Sequence, residues 1–139
     1  MKKTLLGLLL LGSTLFAEVT ETPATLEFVN NNKMKIIDIR TKGEWIQTGV
    51  IRNSILLTFF DEKGNVDTDL FLDRLNNIVD KDEQFAIICN TGSRTKLISN
   101  FLGKKLDYKV VNLTGGMSKL FKDGFQPEFY AQSDSNSTK

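Results

Sequence analysis

One side chain governs the chemistry open to this sequence. Cys89 is the only cysteine among 139 residues, and it ends the apolar run Phe85-Ala86-Ile87-Ile88. The polar stretch Asn90-Thr91-Gly92-Ser93-Arg94-Thr95 follows, and then Lys96-Leu97-Ile98-Ser99-Asn100-Phe101-Leu102 with helical spacing. The order reads as strand, loop and helix, with the thiol where the strand hands over to the loop. A side chain at that place lies beneath a row of backbone N–H groups and faces a helix N-terminus. Both favour an anion, so the expectation is a stabilised thiolate and hence a nucleophile. Taken alone, a cysteine at a strand end is as often a buried, inert hydrophobe.

The chain contains no histidine. Ser-His-Asp and Cys-His catalysis therefore cannot be assembled within it. One cysteine without histidine leaves no ordinary zinc or copper site, and no cofactor is expected. If Cys89 is activated, backbone dipoles and arginine must do it.

The elements that must position the thiol follow from the apolar pattern. Glu18 to Glu21 reads as extended, and Thr22-Pro23 as an N-cap and first helical residue opening a helix to about Asn30. Met34 to Ile39 reads as a buried strand ending in Asp38-Ile39-Arg40. A short helix from Thr41 to Ile46 is closed by Gly49, and Ile55 to Phe60 forms a second apolar run. Asp67 to Val79 is an amphipathic helix with Leu70, Phe71, Leu75, Ile78 and Val79 on its apolar face. The helix after Cys89 ends near Gly103, Lys109 to Leu113 is a strand, and Gly115-Gly116 opens a last helix capped by Gly124. Alternation of this kind predicts an α/β fold, a parallel central sheet flanked by helices. In such sheets the site lies at the carboxyl ends of the strands. Asp38, Arg40, Cys89 and the Leu113-Thr114-Gly115 turn should meet there.

The residues in order resemble a single-domain rhodanese, a sulfurtransferase. The likeness is carried by Asp38-x-Arg40, Glu44-Trp45, Gly49-x-Ile51, Cys89-x-x-Gly92-x-Arg94-Thr95, Gly115-Gly116 and Gly124-Phe125, covering about residues 20 to 128. It implies that Cys89 takes sulfur from a donor such as thiosulfate as a persulfide and passes it to a thiol or to cyanide. Asn90, Thr91, Gly92, Ser93, Arg94 and Thr95 would cradle the persulfide through their N–H groups, with Arg94 orienting an oxyanion donor or anchoring the loop. The resemblance gives Asp38, Arg40 and Glu44 supporting roles, with Arg40 pairing to Glu44. Trp45 reads as packing.

The spacing from Cys89 to Arg94 is Cys-x4-Arg. Phosphatases and arsenate reductases use the longer Cys-x5-Arg loop, which encircles a tetrahedral oxyanion, so the shorter ring favours a single sulfur atom. Three departures stand out: Asn90 and Thr91 where a basic residue is frequent, Val50 in place of histidine, and Leu120 in place of tryptophan. The absence of a basic residue beside Cys89 keeps a second reading open, a rhodanese-like module that binds or senses sulfur species with little turnover.

The expected domain runs from 18 to 130, with 131 to 139 a polar tail. Residues 1 to 17 read as a secretory signal peptide: Lys2 and Lys3, then apolar Leu5 to Leu11, then a cut after Ala17. The apolar stretch is too short for a permanent membrane anchor. Of the 18 basic and 17 acidic residues, removal of Lys2 and Lys3 leaves 16 and 17. Nothing in that balance suggests nucleic acid. The expected setting is the periplasm, and the expected partners are a small sulfur donor, a thiol acceptor and a protein able to accept sulfur. A lone thiol in an oxidising compartment is inert, paired to another molecule, or reactive.

Overall fold

The computed structural model describes residues 19–131. The signal-peptide reading of residues 1–17 falls outside them, as does nearly all of the tail. Five parallel strands form one sheet: β1 (Thr20–Pro23), β2 (Ile36–Asp38), β3 (Ile55–Leu56), β4 (Phe85–Ile88) and β5 (Val110–Thr114). Their order is β1-β5-β4-β2-β3. The helices are α1 (Leu26–Asn31), α2 (Lys42–Thr48), α3 (Thr68–Asn76), α4 (Ser93–Asn100) and α5 (Gly116–Lys122), with a π-helical turn at Phe101–Lys105. Among the described residues no helix is long and apolar enough to cross a membrane.

β4 is the central strand, and all four of its residues are buried, which is why its sequence is apolar without alternation. Period-two geometry nevertheless sorts its side chains. Phe85, Ile87 and Cys89 enter the core shared with Phe71 and Leu75 of α3 and Ile98 of α4. Ala86 and Ile88 enter the opposite core with Met117 and Leu120 of α5. The parity of the strand therefore delivers the thiol to the face covered by α4.

Several boundaries differ from the sequence reading. Thr22 and Pro23 do not open a helix; they belong to β1 and pair with Leu113 and Thr114 of β5. Proline is tolerated there because β1 is an edge strand and needs no further ladder donor, while Ala24 N–H binds Thr114 O at 2.9 Å. The N-cap of α1 is Thr25, whose Oγ1 accepts from Phe28 N–H at 3.1 Å. β2 and β3 are shorter than their apolar runs. Leu57 and Phe59 still donate to Asp38 and Ile39 at 3.0 and 3.2 Å, but the chain is already leaving the sheet edge. Leu70 is 44% exposed. The buried stripe of α3 is Phe71 and Leu75, about one turn apart, and Leu70 lies about a third of a turn off it. Gly103 does not end a helix either: it sits within the π turn, and a Cβ there would collide with Val19 Cγ2. After α5 the chain returns, with Val50 and Glu128 forming an antiparallel bridge and Tyr130 lying edge-on to Trp45 at 5.7 Å.

Candidate active site

The site is assembled at the carboxyl ends of β2, β4 and β5. Cys89 follows β4 directly, Asn90 to Gly92 form a turn, and α4 begins at Ser93. Gly92 makes that turn possible. Its φ of +94° is left-handed backbone, and a Cβ would come within 3.0 Å of Gly115 N. The Gly92 N–H points at the thiol, 3.1 Å from Sγ. Thr95 Oγ1 lies 3.5 Å from Sγ on the helix side and also donates to Gly92 O at 3.2 Å. The first turn of α4 adds N–H groups that have no intrahelical partner.

Of the cradle expected from Asn90 to Thr95, one backbone N–H hydrogen-bonds the sulfur, that of Gly92. Cys89 is 0% exposed, so the sulfur lies under the loop rather than at an open mouth. Asn90, Thr91 and Ser93 are exposed above it, and Thr95 is buried.

The first two peptide groups of the loop are held by α5. Met117 N–H donates to Cys89 O at 2.9 Å and Ser118 N–H to Asn90 O at 2.8 Å. These bonds draw both carbonyls away from the sulfur. Ser118 Oγ also donates to Asn90 Oδ1 at 2.9 Å. Ser118 was not legible as a site residue, because no spacing in the sequence links it to a residue 28 positions earlier.

Arg94 reaches out of α4 to α2. Its Nη1 and Nη2 donate to Glu44 Oε1 and Oε2 at 2.6 and 2.8 Å. Glu44 is held for this by a capping box: Thr41 Oγ1 accepts from Glu44 N–H while Glu44 Oε1 accepts from Thr41 N–H, both at 3.3 Å. The loop-anchoring role for Arg94 is the one this geometry displays. The Glu44 hydrogen bonds push Arg94 above its ordinary value against the opposing effect of burial, and the charges of Glu44, Cys89 and Asp38 add to the rise.

The pairing of Arg40 with Glu44 is overturned. Arg40 binds Asp38: Nη2 to Oδ2 at 2.8 Å, and Nε to Oδ1 and Oδ2 at 3.0 and 3.1 Å. Its remaining donors reach the C-terminus of α2, at Thr48 Oγ1 (2.7 Å) and Gly49 O (2.8 Å). The reason is direction. Arg40 lies against the end of α2, whose last carbonyls attract a cation, while Glu44 in the first turn of α2 points to α4. Asp38 and Arg40 are 0% and 1% exposed; they tie β2 to α2 and do not touch Sγ.

Glu44 gives the site a pH dependence. Burial would raise its carboxyl, but the Arg94 and Thr41 hydrogen bonds and the charges of Arg94 and Arg40 outweigh it and hold it below its ordinary value of 4.5. A lowered acid binds fewer protons folded than unfolded, so its contribution is present above the ordinary value and lost as pH falls through the lowered one. Urea denaturation between about pH 6 and about pH 3 is expected to show a smaller acid loss of stability in Glu44→Gln than in the native protein. Asp61 and Glu83 are shifted the same way and act in both proteins, so an identical loss in the two would remove Glu44 from the account.

Comparison with known proteins bears on this arrangement. A rhodanese-like protein from Staphylococcus aureus matches with a TM-score of 0.55 and 23% identity, over 79% of this chain and 99% of its own. A rhodanese-related protein from Thermoplasma volcanium matches with a TM-score of 0.55 and 24% identity, over 75% and 94%. The rhodanese-like domain of an Anabaena protein matches with a TM-score of 0.57 and 13% identity, over 84% and 86%. At these identities the likeness is one of fold. No curated protein matches the sequence. The family model described as the rhodanese-like domain matches residues 23–123. That match runs from the last residue of β1 past the end of α5 and takes in every element that holds Cys89, so the chain belongs to the rhodanese-like domain family.

Proposed function

We propose that this protein is an exported sulfurtransferase that carries sulfane sulfur on Cys89 from a small donor to a thiol acceptor, with a protein acceptor among the candidates. The observation that carries the reading is the Gly92 N–H directed at Sγ from a turn of Cys-x4-Arg length. In the first step the Cys89 thiolate attacks the outer sulfur of the donor. An S–S bond forms to Cys89, the donor's own bond to that sulfur breaks, and its electron pair leaves with the remainder of the donor. In the second step the acceptor thiolate attacks the outer sulfur of the Cys89 persulfide and frees the Cys89 thiolate. The Gly92 N–H is placed to donate to the sulfur in its anionic states, the Thr95 hydroxyl can donate to it by turning its proton from Gly92 O, and the first turn of α4 adds its dipole. Because Cys89 has no exposed surface, donor binding requires the groups packed over the sulfur to move. The leader-like residues 1–17 support export to the periplasm.

Intact-mass measurement after incubation with sulfane donors tests this reading. The native protein is expected to gain about 32 daltons, one sulfur atom held covalently. The gain should vanish on reduction and be absent in Cys89→Ser. No adduct with any sulfane donor would leave a binding module in place of an enzyme.

A further inference from the structure

We infer that Ser118, on α5, is a positioning residue for sulfur transfer: its hydroxyl holds the side-chain amide of Asn90 so that the NH2 end is presented to the group that departs from the transferred sulfur. This rests on the sulfurtransferase reading above. Ser118 grips Asn90 at two points, its N–H on the backbone carbonyl at 2.8 Å and its hydroxyl on Oδ1 at 2.9 Å. The first bond holds the peptide between Asn90 and Thr91. The second orients the side chain, because an amide whose oxygen is engaged has its two N–H groups left to offer.

The neighbouring polar side chains are tied elsewhere. Thr91 and Ser93 hydroxyls bond to each other at 3.2 Å, within the loop. Arg94 is occupied by both oxygens of Glu44, and Lys119, next to Ser118, by Asp123 at 2.7 Å. Among the described residues, Asn90 is the loop side chain whose orientation is set from α5. Both Asn90 and Ser118 are exposed. A hydrogen bond between exposed side chains adds little to stability, since water can replace either partner. What this bond decides is direction.

The reaction gives that direction a use. When the Cys89 thiolate attacks the outer sulfur of a donor, an S–S bond forms, the donor's own bond to that sulfur breaks, and the electron pair goes to the departing atom. Negative charge grows on that atom during the step. A fixed N–H donor is then worth more in the transition state than in the bound donor. An amide turned the other way would present Oδ1 to the same charge and oppose it. Ser118 keeps that oxygen on its own side of the loop.

The test is a double-mutant cycle on the full chain, read by intact mass against time with thiosulfate and with inorganic polysulfide. Ser118→Ala keeps the backbone bond to Asn90 O and removes the side-chain grip alone. Its limiting loading rate at saturating donor is expected to fall about fivefold, the worth of one neutral hydrogen bond, with the urea midpoint unmoved and the half-saturating donor concentration little changed. Ser118→Thr, which retains a hydroxyl, should restore most of the rate. Asn90→Ala should fall by about tenfold, and Ser118→Ala added to it should cost nothing further, because the two act as one unit. Native loading in Ser118→Ala, or the same fivefold loss with Asn90 already removed, would overturn this inference and leave the sulfurtransferase reading standing. An adduct from neither donor in the native protein would remove both.

Discussion

Gly116→Ala is expected to damage the loop around Cys89 although the substituted residue lies on another element. Gly116 has a φ of +59°, and a Cβ on it would stand 2.5 Å from both Cys89 O and Asn90 O. Left-handed backbone costs a non-glycine residue about 1–3 kcal/mol, and forcing a group into packed surroundings costs about 1–3 kcal/mol more. Both contacts are with backbone, so no side chain can swing aside. The movement open to the variant is withdrawal of α5 from the loop, which breaks the Met117 and Ser118 N–H bonds to the Cys89 and Asn90 carbonyls. Sulfur loading should fall by more than the loss of folded protein explains. Urea denaturation gives the stability term, and adduct formation on the folded fraction gives the other. Loading that tracks folded protein alone would show that α5 does not hold the loop.

Arg40→Met is expected to be destabilising to a similar degree. Arg40 is the charge that matches Asp38, and both are buried among apolar side chains. Removing one partner of a buried pair costs about 3–5 kcal/mol, because the remaining charge has neither water nor a counter-ion. Two further groups lose a donor, Thr48 Oγ1 and Gly49 O. The double variant Asp38→Asn with Arg40→Met should recover part of the loss, since the uncompensated charge is gone, while Gly49 O at the end of α2 stays without its donor. Thermal and urea midpoints of the single and double variants measure this. Full recovery would mean that Arg40 matters only as a counter-ion, and no recovery would mean that it matters only as the cap of α2.

The sequence and the structure divide the account along a physical line. Local order along the chain determined the central strand, since Phe85 to Ile88 is apolar throughout and buried on both faces. It also placed Cys89 at the end of that strand, and parity along the strand put its side chain on the face of α4. The capping box of α2 was present in Thr41 and Glu44 three residues apart. Partner choice across the fold was not written there. Arg40 has Asp38 two positions back and Glu44 four positions ahead, both within reach of a long side chain, and only the direction of α2 against β2 selects Asp38. Glu44 then binds Arg94, 50 residues away. The segment Thr20–Pro23 is polar and ends in proline, so its own preferences do not make it a strand; the open edge of β5 does. A thiol at a strand end and a loop of given length were thus determined by the chain alone. The hold on the loop's first two carbonyls, the neutralisation of its arginine and the grip of Ser118 came from tertiary packing, because each depends on a group far away in sequence brought to within hydrogen-bond distance.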